Sequence, residues 1–245
     1  MDRTPDLIRY NIFQPFTTIC AFTTTKSTLP VERVRYSNVP ENKAKLAETL
    51  GLEAGQMVYP DQTHSSCVAA IHEIPDAVIS ETDALVTNQS ELCLCVQTAD
   101  CVPVLLFDPK AKVIAAIHAG WRGTVGGIVE KAVSKMTTNY GASAENIVAA
   151  IGPSISSEIY EVGDEVVAAA RKSIPNVETT LHKNGSDNYH FNLWEANRQL
   201  LLKNGVLKQN IQVLRACSFS EAEKYYSARR DGVDTGRMVS GIMIL

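Results

Sequence analysis

Residues 91–127 read ELCLCVQTADCVPVLLFDPKAKVIAAIHAGWRGTVGG, and the fold turns on how this stretch is parsed. The runs 91–98, 102–107 and 113–119 are short, apolar and separated by turn residues such as Asp108-Pro109, so each reads as a strand. The third run ends at His118, and the glycines from Gly120 to Gly127 open a helix expected over 124–139. Val125, Ile128, Val129, Ala132, Val133 and Met136 recur there at helical spacing.

Working outward, residues 17–25 (TTICAFTTT) are rich in β-formers and predict a strand. Residues 41–50 predict a short helix closed by Gly51. MVYPDQTHSSCVAAI, residues 57–71, reads as two strand pieces broken at Pro60-Asp61. Downstream, a strand at 147–151 stops at Gly152-Pro153, and helices are expected at 164–173 and 192–204. Asn192 serves the second as N-cap and Gly205 as stop. Closing strands fall at 211–218 and 237–245. Strands and helices mix without a βαβ rhythm, which predicts an α/β or α+β fold of layered sheets and helices. With no repeat, low-complexity tract or linker, residues 1–245 are expected to form one domain.

Hydrophobic residues make up 45% of the chain and charged residues 20%, ordinary values that exclude extended disorder. The net charge of -4 argues against a nucleic-acid binder held by phosphate neutralisation. Lys224, Arg229 and Arg230 form a basic group too short for a duplex, though suited to a small anion. No apolar stretch approaches the ~20 residues of a membrane-spanning helix, and the charged start MDRTPDLIR lacks a secretory apolar region. The six cysteines then read as free thiols or ligands in a cytoplasmic protein.

Candidate chemistry gathers on three residues. His64 follows a proline turn in DQTHSS, Cys101 sits beside Asp100 between two strands, and His118 ends a strand ahead of a glycine turn. Two imidazoles and a thiolate suit a zinc site with an open fourth position. They equally suit a thiol nucleophile with a histidine base, and each histidine alone could be an ordinary core or surface residue. His72, His182 and His190 have polar or mixed neighbours and read as surface residues. Cys93 and Cys95 share one strand face and read as core packing. Cys67, three residues after His64, would close a structural zinc sphere if it were a fourth ligand.

Taken in order, PDQTHSS, ETDALVT, QTADCVPVLLFDP, IHAGWRGTVGGIV, AIGPSISSEIYEVGDEV, FNLWEANRQLL and CSFSEAEKYYSARRDGVDTGRM resemble the YfiH-like family. It is also called the laccase-domain or polyphenol-oxidase family, and the likeness spans about residues 57–245. The resemblance implies a single α/β domain with a metal site at His64, Cys101 and His118. Zinc is the metal it implies; copper is invoked for phenol oxidation. It further implies phosphorolysis of adenosine, inosine, guanosine and methylthioadenosine, deamination of adenosine, and a bacterial role in editing peptidoglycan precursors. The fold is also similar to that of a toxin deamidase with a Cys–His pair, which supports the thiol alternative. On the purine reading the partners are a nucleoside and inorganic phosphate. Arg122, or Arg229 with Arg230, would hold the phosphate, and Asp100 would orient a ligand histidine or accept a ribose hydroxyl. Two departures stand out. The segment TTTKSTLPVERVRYSNVPENK lacks the family's GG-containing turn, and Ser154 replaces a common cysteine. A cluster of several coppers needs more histidine ligands than five histidines supply.

Overall fold

The structure, a computed structural model, describes residues 6–28, 40–183, 185 and 188–245. The N-terminal departure from the family falls partly on 29–39 and so lies partly outside the described residues. A six-stranded sheet is ordered Ile211–Val213, Val148–Ile151, Val102–Asp108, Val113–Ala119, Ala84–Thr87, Val68–Ala70. A five-stranded sheet is ordered Leu7–Ile8, Ile19–Thr24, Met238–Ile244, Cys93–Thr98, Met57–Val58. Glu161–Val162, Tyr189–Phe191 and Leu181–Lys183 make a small third sheet. Edge strands Val68–Ala70, Ile211–Val213 and Met57–Val58 pair in parallel, whereas the long central strands run antiparallel.

The two large sheets pack through one apolar layer. Leu94, Val96 and Ile242 of one meet Leu85, Leu105, Phe107, Ile114 and Ala116 of the other. Val104, Leu106, Val113, Ala115 and Ile117 point the opposite way, toward Ile128, Val129, Ala132, Val133 and Met136 of the helix Ile128–Tyr140 and Leu200 and Leu201 of Leu193–Lys203. The Val102–Asp108 strand therefore buries both faces, which is why its sequence is a continuous apolar run instead of an alternating one. Each fully buried large side chain contributes about 1.5–3 kcal/mol, so this doubly covered sheet dominates the stability. On the far side, Leu46 and Ala47 of the helix Pro40–Leu50 cover Phe22, Cys93, Cys95 and Met243. Cys93 and Cys95, their sulfurs 3.6 Å apart, are core residues as their spacing suggested. The result is a layered α+β architecture.

Asn192 caps its helix by accepting from the Glu195 amide at 3.0 Å, as read from sequence. The helix expected at 124–139 is instead two, Trp121–Val125 and Ile128–Tyr140. Gly127 takes φ +75°, and a Cβ on Gly126 would lie 2.9 Å from the Arg122 carbonyl oxygen, so the chain breaks where only glycine fits. The strand expected at 211–218 ends at Val213; beyond it the Ala216 amide turns back to the Leu214 carbonyl, and only a bridge from Cys217 to Ser154 remains. Among the described residues no helix is long and apolar enough to cross a membrane.

One feature of the connectivity places the site. The chain leaves the five-stranded sheet at Val58 and joins the six-stranded sheet at Val68, carrying His64 across. It makes the same crossing between Thr98 and Val102, carrying Cys101.

Candidate active site

Both crossings meet the end of the Val113–Ala119 strand, which presents His118. One ligand atom each from His64, Cys101 and His118 lies within 4.8 Å of the other two. Cys101 Sγ stands 3.8 Å from His64 Nε2, and the two imidazole rings meet edge to face with centroids 4.9 Å apart. The three candidate residues, distant in sequence, are thus brought together. Cys67 is exposed and stays outside the group, so no fourth cysteine ligand closes it among the described residues.

Asp83 organises the group. Its fully buried carboxylate takes His118 Nδ1 at 2.7 Å through Oδ1 and the His64 amide at 3.1 Å through the same oxygen. Oδ2 accepts from the Thr63 amide at 3.2 Å and from both the amide and the hydroxyl of Ser65 at 2.7 Å. Burial works to raise this carboxyl, but the donors from His118 and Ser65 hold it below the usual carboxylate range. With Nδ1 bound to Asp83, Nε2 of His118 is the nitrogen turned to the site. His64 itself sits at φ +61°, a left-handed conformation that costs a non-glycine residue about 1–2 kcal/mol. The hydrogen bonds from residues 63–65 to Asp83 offset that strain.

Asp100 also takes a left-handed conformation, φ +88°. Its carboxylate accepts from Ser218 Oγ at 2.6 Å and from the Arg229 amide at 2.7 Å, so it braces the turn before Cys101 against the 227–231 segment. The carboxylate that orients His118 is that of Asp83 instead. A Cβ on Gly120 would meet Cys101 Sγ at 3.0 Å and His64 Cδ2 at 3.1 Å, so the glycine turn of HAGWRG makes room for the group.

The Cys101 thiol and the His118 imidazole perturb one another. Burial opposes the thiolate, but His118 and His64 outweigh it and bring Cys101 down to about 6. Burial likewise opposes the imidazolium, but Cys101 and Asp83 carry His118 up to about 9. Without a metal, the pair is a thiolate beside an imidazolium.

The arginines fall on one flank. Arg122 Cζ lies 4.3 Å from the Trp121 ring centroid, and Arg229 Cζ lies 5.3 Å from that of Tyr160. Tyr160, which the sequence reading passed over, senses the whole flank. Burial and the Cys101 charge push its phenol up to about 12, against Arg229 and Arg122. Arg230 does not join them: its guanidinium donates to the carbonyls of Ser218, Phe219 and Tyr225 and pairs with Asp231. A cleft of ≈ 390 Å³ reaches the triad, walled by Gln62, Gln97, Asp61, Ala228 and the 233–237 loop. The Gln62 amide bonds both the Gln97 nitrogen and oxygen at 2.8 Å, imitating a paired strand. His190, expected at the surface, is buried, with Nδ1 2.9 Å from the Ser157 carbonyl. A histidine directly across a strand pair from His182 cannot be told from a surface one by its sequence neighbours.

Sandwiched sheets with a buried Asp–His pair, a cysteine and a second histidine at one corner define an enzyme-like site able to hold a metal. Residues 34–245 match the family described as multi-copper polyphenol oxidoreductase laccase, and the chain belongs to that family. It is 40% identical over 217 residues to a purine nucleoside phosphorylase of Bacteroides thetaiotaomicron, covering 84% of this chain and 80% of that one. It is also 40% identical over 213 residues to adenosine deaminase RL5 from an unknown prokaryotic organism, covering 83% and 81%. The crystal structure of YfiH from Bacillus licheniformis superimposes with a TM-score of 0.89 at 29% identity, over 98% of this chain and 97% of that one. These likenesses agree with the family resemblance read from the sequence blocks.

Proposed function

We propose that the chain, a single domain over residues 1–245, is a zinc-dependent purine nucleoside phosphorylase. Its substrates on this reading are adenosine, inosine, guanosine or methylthioadenosine with inorganic phosphate, and adenosine deamination accompanies the main reaction. The observation that carries it is the convergence of His64, Cys101 and His118, with Asp83 holding Nδ1 of His118. The relatives named as purine nucleoside phosphorylase and adenosine deaminase support the substrate class.

Two imidazole nitrogens and one thiolate match the ligand set of a catalytic zinc that keeps a position open. The same donors fit a single copper, but among the described residues this is the only such group, so the set does not fit a multi-copper cluster. Zinc bound there would supply Lewis-acid polarisation. His64, Cys101 and His118 would hold it, and Asp83 fixes the ring of His118. Arg122 and Arg229 attract phosphate, offering guanidinium donors to its oxygens. Asp100 keeps Arg229 in place through the backbone amide. The nucleoside occupies the cleft, with its C1′ toward the phosphate.

A second reading rests on the thiolate–imidazolium pair: Cys101 as nucleophile and His118 as acid–base in a metal-free hydrolase, in line with precursor editing. Zinc content and phosphate-dependent release of purine base, compared in wild type and Cys101→Ala, separate the two. About one zinc per chain, with metal and base release both lost in the variant, supports the phosphorylase. Cysteine-dependent turnover without zinc or phosphate supports the hydrolase, and turnover indifferent to Cys101 overturns both.

A further inference from the structure

The ≈ 390 Å³ cleft reaches His64, Cys101 and His118. One whole wall of the cleft is the segment from Val233 to Arg237, and that segment is held in shape. Arg237 donates to the carbonyl of Val233 at 2.7 Å, to that of Gly236 at 3.1 Å and to that of Thr235. Gly232 opens the turn at φ +87°. A loop whose carbonyls are gathered by one guanidinium has its backbone held in shape, and one of its side chains is an acid.

That side chain is Asp234. It lines the cleft with His64, Cys101 and His118, is exposed, and makes no hydrogen bond or ion pair among the described residues. On the loop's other side lies Lys26, whose Nζ donates to the Ala222 carbonyl at 2.8 Å and leaves Asp234 unclaimed. An ionised carboxylate only accepts hydrogen bonds, so it takes hydroxyl donors and repels phosphate. Two adjacent hydroxyls on a five-membered ring match its two oxygens, the pairing by which an acidic residue holds the ribose of dinucleotides.

We infer that Asp234 binds the ribose cis-diol of the nucleoside and makes the enzyme select ribonucleosides over 2′-deoxynucleosides. This rests on the nucleoside reading and adds the sugar selectivity of its site. It also fixes orientation: the diol faces the 233–237 loop.

The test compares adenosine with 2′-deoxyadenosine in zinc-loaded wild type, Asp234→Asn and Asp61→Asn. Both kcat/KM and calorimetric binding are read. Asp61 supplies the comparison because it is the other exposed carboxylate of the same cleft. A hydrogen bond to a charged acceptor is stronger than one to a neutral acceptor, so wild type is expected to prefer adenosine by about tenfold or more. Asp234→Asn should lose most of that preference, chiefly by weaker adenosine binding, with zinc content unchanged. Discrimination intact in Asp234→Asn, absent from wild type, or lost only in Asp61→Asn overturns the assignment while leaving the nucleoside reading standing. Wild type that binds neither nucleoside overturns both.

Discussion

The Asp83 carboxylate receives Nδ1 of His118 at 2.7 Å with both side chains buried, and the same oxygen receives the amide of His64. One acidic residue thereby sets the ring of one histidine of the candidate metal site and the backbone of the other. A carboxylate behind a ligand imidazole fixes its tautomer and strengthens its donor nitrogen.

Asp83→Asn should therefore bind zinc about 10–100-fold more weakly, the range for lost partners of ligand histidines. The amide of asparagine can face His118 with its oxygen, but it then turns an N–H₂ toward the amides of Thr63 and Ser65. Competition against a chromophoric chelator measures the affinity. An unchanged value would show that His118 needs no carboxylate behind it.

Gly120→Ala tests the space around the triad. The new methyl would press on Cys101 Sγ at 3.0 Å and His64 Cδ2 at 3.1 Å. Gly163→Ala, also at a helix start but with nothing within 4 Å, is the matched control. Zinc retention and base release should fall for Gly120→Ala and hold for Gly163→Ala, with melting temperatures of the two within a few degrees.

In zinc-stripped protein, Cys101 should be alkylated by iodoacetamide with a rate that climbs through pH about 6 and levels off above it. The sign follows from the shift: a lowered thiol pKa means thiolate above about 6 instead of above the ordinary cysteine value. Peptide mapping separates Cys101 from the accessible Cys20 and Cys67. Adding zinc should suppress the reaction, and a rate still climbing at pH 9 would show that His118 does not hold the thiolate.

Much of this corner was legible before the structure. The strands at 91–119 announced themselves because both faces are buried, with Cys101 at the turn between two of them and His118 near the end of the third. Asp83 was not legible: an acid ahead of ALVT looks solvated, and its burial comes from residues 63–65 and 118, which are remote in sequence. Asp100 drew notice as the neighbour of Cys101, yet its carboxylate serves Ser218 and Arg229. Sequence adjacency does not say which way a side chain leaves a left-handed residue. The small third sheet, of strands two or three residues long, is too short for any periodicity to register.

Arg229 and Arg230 are adjacent in sequence and opposite in role. Arg230 spends its guanidinium on three backbone carbonyls and Asp231, with the side chain mostly covered. Arg230→Ala leaves those carbonyls without their donor, and the protein should lose about 1–3 kcal/mol of stability as the 218–231 segment loosens. Arg229 holds its place through its backbone amide on Asp100, while its guanidinium lies exposed over Tyr160 with one 3.3 Å contact to the Glu161 carbonyl. Arg229→Gln keeps the amide, so its denaturant midpoint should match wild type. Its KM for phosphate should rise about tenfold, since a charge-assisted contact is lost without disturbing the zinc ligands. Urea unfolding and phosphate titration of base release, run on both variants, read the two effects separately. A phosphate KM unchanged in Arg229→Gln would move the anion site to Arg122 alone.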